Sequence, residues 1–218
     1  TPGADVMRRA HRLSMLAGTV SLACGSLAFG FDLPANLPTR AEGLWRIDRT
    51  GTISDGKTTF EIQKIWNVCL DAKADRALHA LEVYEQQASV AGLNESCEDP
   101  QSTFAGNTLS WSMHCAGPSP VENKTGRTEI RHTTTFVADD RTQAESVVAN
   151  RDNLVESDGR FVKQMQYLGA CEAGMQPADM TLMHWRVNGE ETLKARQKRN
   201  VYSEIDYYKR FTASRLRK

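Results

Sequence analysis

Four sets of residues in this 218-residue chain have types and spacings that could do chemistry. Met175, Met180, Met183 and His184 form the first, because thioether and imidazole donors suit Cu(I); methionines are also ordinary fillers of irregular core gaps. His132 is the second. It shares one side of an alternating segment with Ile130 and Phe136, where it would serve as a buried acid, base or ligand, but Thr134 offers it a hydrogen bond that would make it structural. His114 falls opposite Trp111 and is expected to be exposed. The third set is the cysteines, and the fourth is a basic, aromatic C-terminal stretch. No nucleophile elbow, zinc-protease helix, phosphate loop or dinucleotide fingerprint occurs in the sequence, so no known reaction is encoded and no cofactor is implied.

The cysteines acquire meaning from the start of the chain. Met7, the basic Arg8, Arg9 and Arg12, and an apolar run over 13–29 have the layout of a secretory signal peptide, with cleavage near Ala28 or Gly30. Residues 1–30 are therefore set apart from the fold. Two rival readings fit less well. A lipoprotein signal at Cys24 would want an aliphatic residue where Ser21 stands, and a membrane span needs about 20 apolar residues, more than this Gly-broken run supplies. With Cys24 removed, Cys69, Cys97, Cys115 and Cys171 remain, an even number in an oxidising compartment, so disulfides are the default. Cys97 and Cys115 flank a single turn of chain, which leaves Cys69 for Cys171. The loops, of about 17 and about 100 residues, are worth roughly 3 and just under 5 kcal/mol by chain entropy. No two cysteines have the short spacing of a zinc site.

Alternating apolar positions predict the elements that position these groups. Segment 31–42, with Pro34 and Pro38, reads as an extended surface leader. Strands follow at 44–48 and 58–70, joined through Asp55-Gly56; in the second, Phe60, Ile62, Trp66 and Val68 share a face interrupted by Lys64. Asp71 caps a helix running to Gly92, with Ala74, Leu78, Leu81 and Ala88 as its apolar stripe. Further strands are expected at 109–115, 128–137, 144–150 and 161–168, with turns at Gly106-Asn107, Asp139-Asp140 and Ser157-Asp158-Gly159. A hairpin through Asn188-Gly189 leads to a last helix, started by a capping-box variant at Ser203, with Ile205, Tyr208 and Leu216 on its apolar face.

The predicted fold is mainly β, of α+β type: a curved antiparallel meander or partly open barrel with one inserted helix. Residues 31–180 form the disulfide-stapled body, and 181–218 a C-terminal hairpin and basic amphipathic helix. Formal charge is zero, but 194–218 holds nine basic residues against Glu204 and Asp206. Such a tail docks on its own acidic body or on an anionic membrane surface; export argues against nucleic acid.

Gly43-Leu44-Trp45, Cys69-Leu70-Asp71 and Leu168-Gly169-Ala170-Cys171, continuing through Gly174-Met175-Gln176-Pro177-Ala178-Asp179-Met180, resemble the exported bacterial family called domain of unknown function 3617. The resemblance spans about 43–180. Members often carry proline between the last glycine and cysteine and again after it, where this chain has Ala170 and Glu172. It implies a β-rich periplasmic body with four cysteines, and it transfers no catalytic residue.

The functional expectation is a non-enzymatic binding or accessory module for a small apolar ligand or an envelope partner, with Trp45, Trp66, Trp111 and Tyr167 near a concave face. The alternatives are copper binding through Met175, Met180, Met183 and His184, and an enzyme with an unrecognised site.

Overall fold

Asp55 turns the first hairpin as expected: its carboxylate accepts the backbone N–H groups of Lys57 and Thr58 at 2.9 and 2.7 Å. The hairpin joins β1 (Gly43–Ser54) to β2 (Thr59–Leu70) in register over their whole length. A computed structural model describes residues 31–217; the signal-peptide reading falls on 1–30, outside the described residues. Asp71 caps α1 (Ala72–Ala91), accepting the Ala74 N–H at 2.7 Å. The chain then returns through the short β3 (Ser96–Cys97) and β4 (Gln101–Ala105) to β5 (Thr108–Pro118), β6 (Thr125–Ala138), β7 (Arg141–Arg151) and β8 (Ser157–Gly169). Last come β9 (Asp179–Val187), β10 (Glu190–Glu191), β11 (Gln197–Asn200) and α2 (Val201–Arg215).

All pairings are antiparallel and form one sheet in the order β10-β9-β2-β1-β8-β7-β6-β5-β3, with β4 also on β5 and β11 on β9. The expected mainly β architecture with an inserted helix and a C-terminal helix is present, and the sheet does not close into a barrel. Its curvature follows from α1, which the sheet wraps: Glu82 meets both His132 on β6 and Lys163 on β8, and Glu85 meets both Arg49 on β1 and Lys64 on β2. Short strands at the edges, β3, β4, β10 and β11, limit the unpaired ladder available for edge-to-edge association. Among the described residues no helix is long and apolar enough to cross a membrane.

The core lies in two clusters. Trp45, Val68, Leu70, Leu78, Leu81, Met165 and Met180 fill the end of the sheet nearest the α1 N-terminus, while Val83, Val90, Trp111, Met113 and Ile130 pack along the β5–β6 side. Helix α2 lies over the first cluster through Tyr202, Ile205 and Tyr208, and the Lys209 ammonium sits 4.5 Å from the Tyr84 ring centre. Helix α1 is consequently covered on both sides, by the sheet and by α2.

Several expectations are corrected. The leader is not merely a surface strand: Leu37 and Arg40 are buried, because Arg40 enters the sheet–helix interface to meet Asp75. Ser157-Asp158-Gly159 is not a turn but the first part of β8, held by ladders on both sides, to β7 and to β1; the turn falls just before it, with Asp152 at φ 59°. Ser203 does not start α2, since Asn200 caps it by accepting the Tyr202 N–H at 3.0 Å. Leu216, assigned to the apolar face of α2, is 42% exposed.

Candidate functional site

Helix α1 presents polar side chains to the inside of the sheet at three heights, and each height meets basic groups. At the first, Arg40 Nε donates to Asp75 Oδ1 at 2.5 Å and its backbone N–H to Oδ2 at 3.2 Å. Its remaining nitrogens reach Met165 Sδ at 2.6 Å and His79 Nε2 at 2.9 Å. An arginine only donates, so His79 accepts at Nε2 and carries its proton on Nδ1, which has no partner among the described residues. Burial, then the Arg40 charge, push the His79 pKa well below its ordinary value.

At the second height Glu82 lies between Lys163 Nζ, which it contacts directly, and His132 Nε2 at 3.1 Å. His132 is held by Ser146 Oγ at Nδ1 and Thr134 Oγ1 at Nε2, both at 2.8 Å, and stacks on Trp111 with ring centres 4.8 Å apart. A neutral ring beside a carboxylate donates from Nε2 and accepts the Ser146 hydroxyl at Nδ1. Burial, followed by the Arg49 charge, pulls the His132 pKa from 6.5 to about 3. At the third height Arg49 Nη1 donates to both Glu85 oxygens, at 3.1 and 3.0 Å, and lies over the Phe161 ring. Lys64 also points to Glu85, but at 3.9 Å, and stands 4.8 Å from the Trp185 ring centre.

The histidines dictate a pH response. Their folded pKa values lie below the unfolded value of 6.5, so the unfolded chain binds more protons between the two. Their contribution is complete above 6.5 and is lost as pH falls below it, for His132 down to about 3. Stability should therefore drop by about 1.4 kcal/mol per pH unit for each histidine below 6.5, before most carboxylates titrate. Denaturant unfolding of the parent and His132→Gln across pH 6.5 to 4.5 checks this; an identical slope in the variant would remove His132 from the account.

Two connected spaces adjoin the second and third heights. A cavity of about 80 Å³ is bounded by Trp66, Glu82, Trp111, His132, Lys163 and Met180. Arg49, Glu85, Gln86 and Phe161 border both it and a larger groove of about 330 Å³, which opens between the C-terminal half of α1 and the sheet. The groove walls include Ile53, Ile62, Val148, Phe161, Trp185 and Val187. Gly51 gives Phe161 its place, since a Cβ there would come within 2.1 Å of the ring. Small-molecule sites run from about 300 to 1,000 Å³, so of these two spaces the groove is the one that reaches ligand size.

Of the aromatic residues singled out in the sequence, Trp66 and Trp111 line the cavity. Trp45 is fully buried at the other end, with Nε1 donating to Ala41 O at 2.8 Å and its ring packed on Tyr167. Pattern reading missed Arg49, Phe161 and Trp185; its only hint was Lys64, the break in an otherwise apolar face. Met180 is buried in the core, Met183 is the unpaired residue of a bulge in β9 opposite β2, and Met175 stands in the turn after Cys171. His184 Nδ1 bonds Glu191 at 2.9 Å, four residues and about 13 Å of strand from Met180. The four thus occupy different environments. On the outer side of α2, Tyr207 is 52% exposed and stacks on Phe211, over which Arg215 lies.

The cysteines pair as expected, Cys69 with Cys171 and Cys97 with Cys115. Cys69 lies opposite Leu44, which also pairs with Gly169, so three segments separated in sequence meet at one end of the sheet. The model of a family described as a protein of unknown function (DUF3617) matches residues 40–171. The chain belongs to the DUF3617 family. No curated protein is significantly similar to this DUF3617 protein. A solved structure, the S-type phycobiliprotein lyase CPES from Guillardia theta, is similar at 10% identity over 60% of this chain and 90% of that one, with a TM-score of 0.28. That score is too low to bear on the groove.

The residues by which this DUF3617 protein resembles its family have an architectural role. Gly43 sits at φ +136°, and a Cβ there would lie 2.3 Å from the Gly169 carbonyl oxygen, so the first and last parts of the motif require each other. Asp71 caps α1, and Ala178 N–H donates to Cys69 O at 2.8 Å while its carbonyl accepts from Val201. The shared residues close one end of the sheet; the groove is at the other.

Proposed function

We propose that this protein is a non-catalytic binding module that takes a small, largely apolar ligand into the groove between α1 and the inner face of the sheet. The observation that carries the reading is the groove itself: about 330 Å³ walled by Ile53, Ile62, Val148, Phe161, Trp185 and Val187, in a sheet whose opposite end is filled by core. The proposal includes a periplasmic location, which the two disulfides support because such bonds persist in oxidising compartments.

The polar cluster around His132 supports a second reading, acid–base catalysis by Glu82, His132 and Lys163. The first is favoured because these groups pair with one another and the space beside them is about 80 Å³.

Titration with the neutral apolar dye N-phenyl-1-naphthylamine tests the binding reading. Fluorescence should rise saturably, and Ile62→Glu or Val187→Glu should weaken binding by about tenfold or more, because an unpaired charge would then have to be desolvated. Unchanged affinity in both variants would exclude the groove as the site.

A further inference from the structure

We infer that the ligand is a free acyl chain with a carboxylate head, held head-inward by Lys64; this rests on the groove being the binding site. Charge balance along α1 points to this ligand. Asp75 answers Arg40, and Glu82 answers Lys163. At the third height Glu85 faces two cations, and Arg49 takes both of its oxygens. Lys64 is left 3.9 Å from a carboxylate already engaged. The neighbouring Arg199–Glu204 pair is closed at 3.0 Å and does not alter the excess.

The Lys64 side chain is only 23% exposed, and its ammonium is flanked by the rings of Trp66 and Trp185. Burial lowers its pKa, and the Glu85 charge opposes that shift without cancelling it. A second donor stands beside it, since the buried Nε1 of Trp185 has no hydrogen-bond partner among the described residues. One anionic head at this height would restore the balance found at the other two. The chain of the ligand would run outward past Ile62, Val148 and Val187 toward Leu93 at the mouth, which is 44% exposed. A zwitterionic or cationic head would leave the excess in place.

Calorimetric titration of the full chain with decanoate, decanol and decyltrimethylammonium reads the inference. Decanoate should bind about tenfold or more tighter than decanol, as suits a charge-assisted hydrogen bond, and the ammonium amphiphile more weakly than either. Lys64→Met, which leaves Glu85 with its Arg49 partner, should bring decanoate down to the affinity of decanol while leaving decanol unchanged; Lys64→Arg should keep the preference. Equal binding of decanoate and decanol by the parent would overturn the carboxylate assignment and spare the groove. A preference that survives in Lys64→Met would overturn the role of Lys64. Failure of all three to bind would overturn the groove reading, and this inference with it.

Discussion

Asp75→Ala should lower the unfolding free energy by about 3–5 kcal/mol, the usual result of removing one partner from a buried ion pair. The side chains of Arg40 and Asp75 are only 1% and 2% exposed, so the guanidinium has no route to water once its partner is gone. His79 cannot substitute, because it already accepts at Nε2 and is held neutral. The double variant Arg40→Met/Asp75→Leu should recover most of the loss, since an apolar pair of similar volume is often no worse than a buried salt bridge. Denaturant unfolding of both variants gives the answer. A loss below about 1 kcal/mol in Asp75→Ala, the range of exposed pairs, would mean that the leader is not anchored through Arg40.

Removing the Cys69–Cys171 bridge should cost about as much by a different route. It closes 102 residues, against 18 for Cys97–Cys115, and the chain-entropy model gives about 4.7 kcal/mol for the longer loop and roughly 3 for the shorter. Cys69→Ala/Cys171→Ala should therefore melt at least as early as Cys97→Ala/Cys115→Ala, by thermal unfolding under identical conditions. The longer bridge also joins β2 to the segment after β8 beside the Asp71 cap, so its loss should loosen the α1 N-terminus. A larger drop from the shorter bridge would show that local pairing of β3 with β5 outweighs loop entropy.

The strands were legible where one face is buried and the other is not: β5 alternates Leu109, Trp111, Met113 and Cys115 with polar residues, and it lies where that pattern puts it. Helix α1 shows the opposite case. Asp75, His79, Glu82 and Glu85 recur at helical spacing beside the apolar stripe, and they meet partners on the sheet and the leader. Their partners lie far away in sequence, at Arg40, Arg49, Lys163 and His132, and no local pattern reveals pairing at that range. The same distance hid the groove, whose walls come from six strands and a helix. Asp158-Gly159 misled for a related reason: a dipeptide that turns a free chain is kept extended when ladders grip it from both sides.

The three charged heights act on α1 like the wards of a lock. A smooth apolar interior would let an inserted helix settle at several depths, but a slip of one turn, about 5.4 Å, would bring Leu78 or Gln86 opposite Lys163 and Leu81 or Ser89 opposite Arg49. Each cation would then be stranded without its carboxylate. Only one seating depth answers all of them, so the length of the space left at the open end is gauged by electrostatics rather than by the bulk of the side chains that line it.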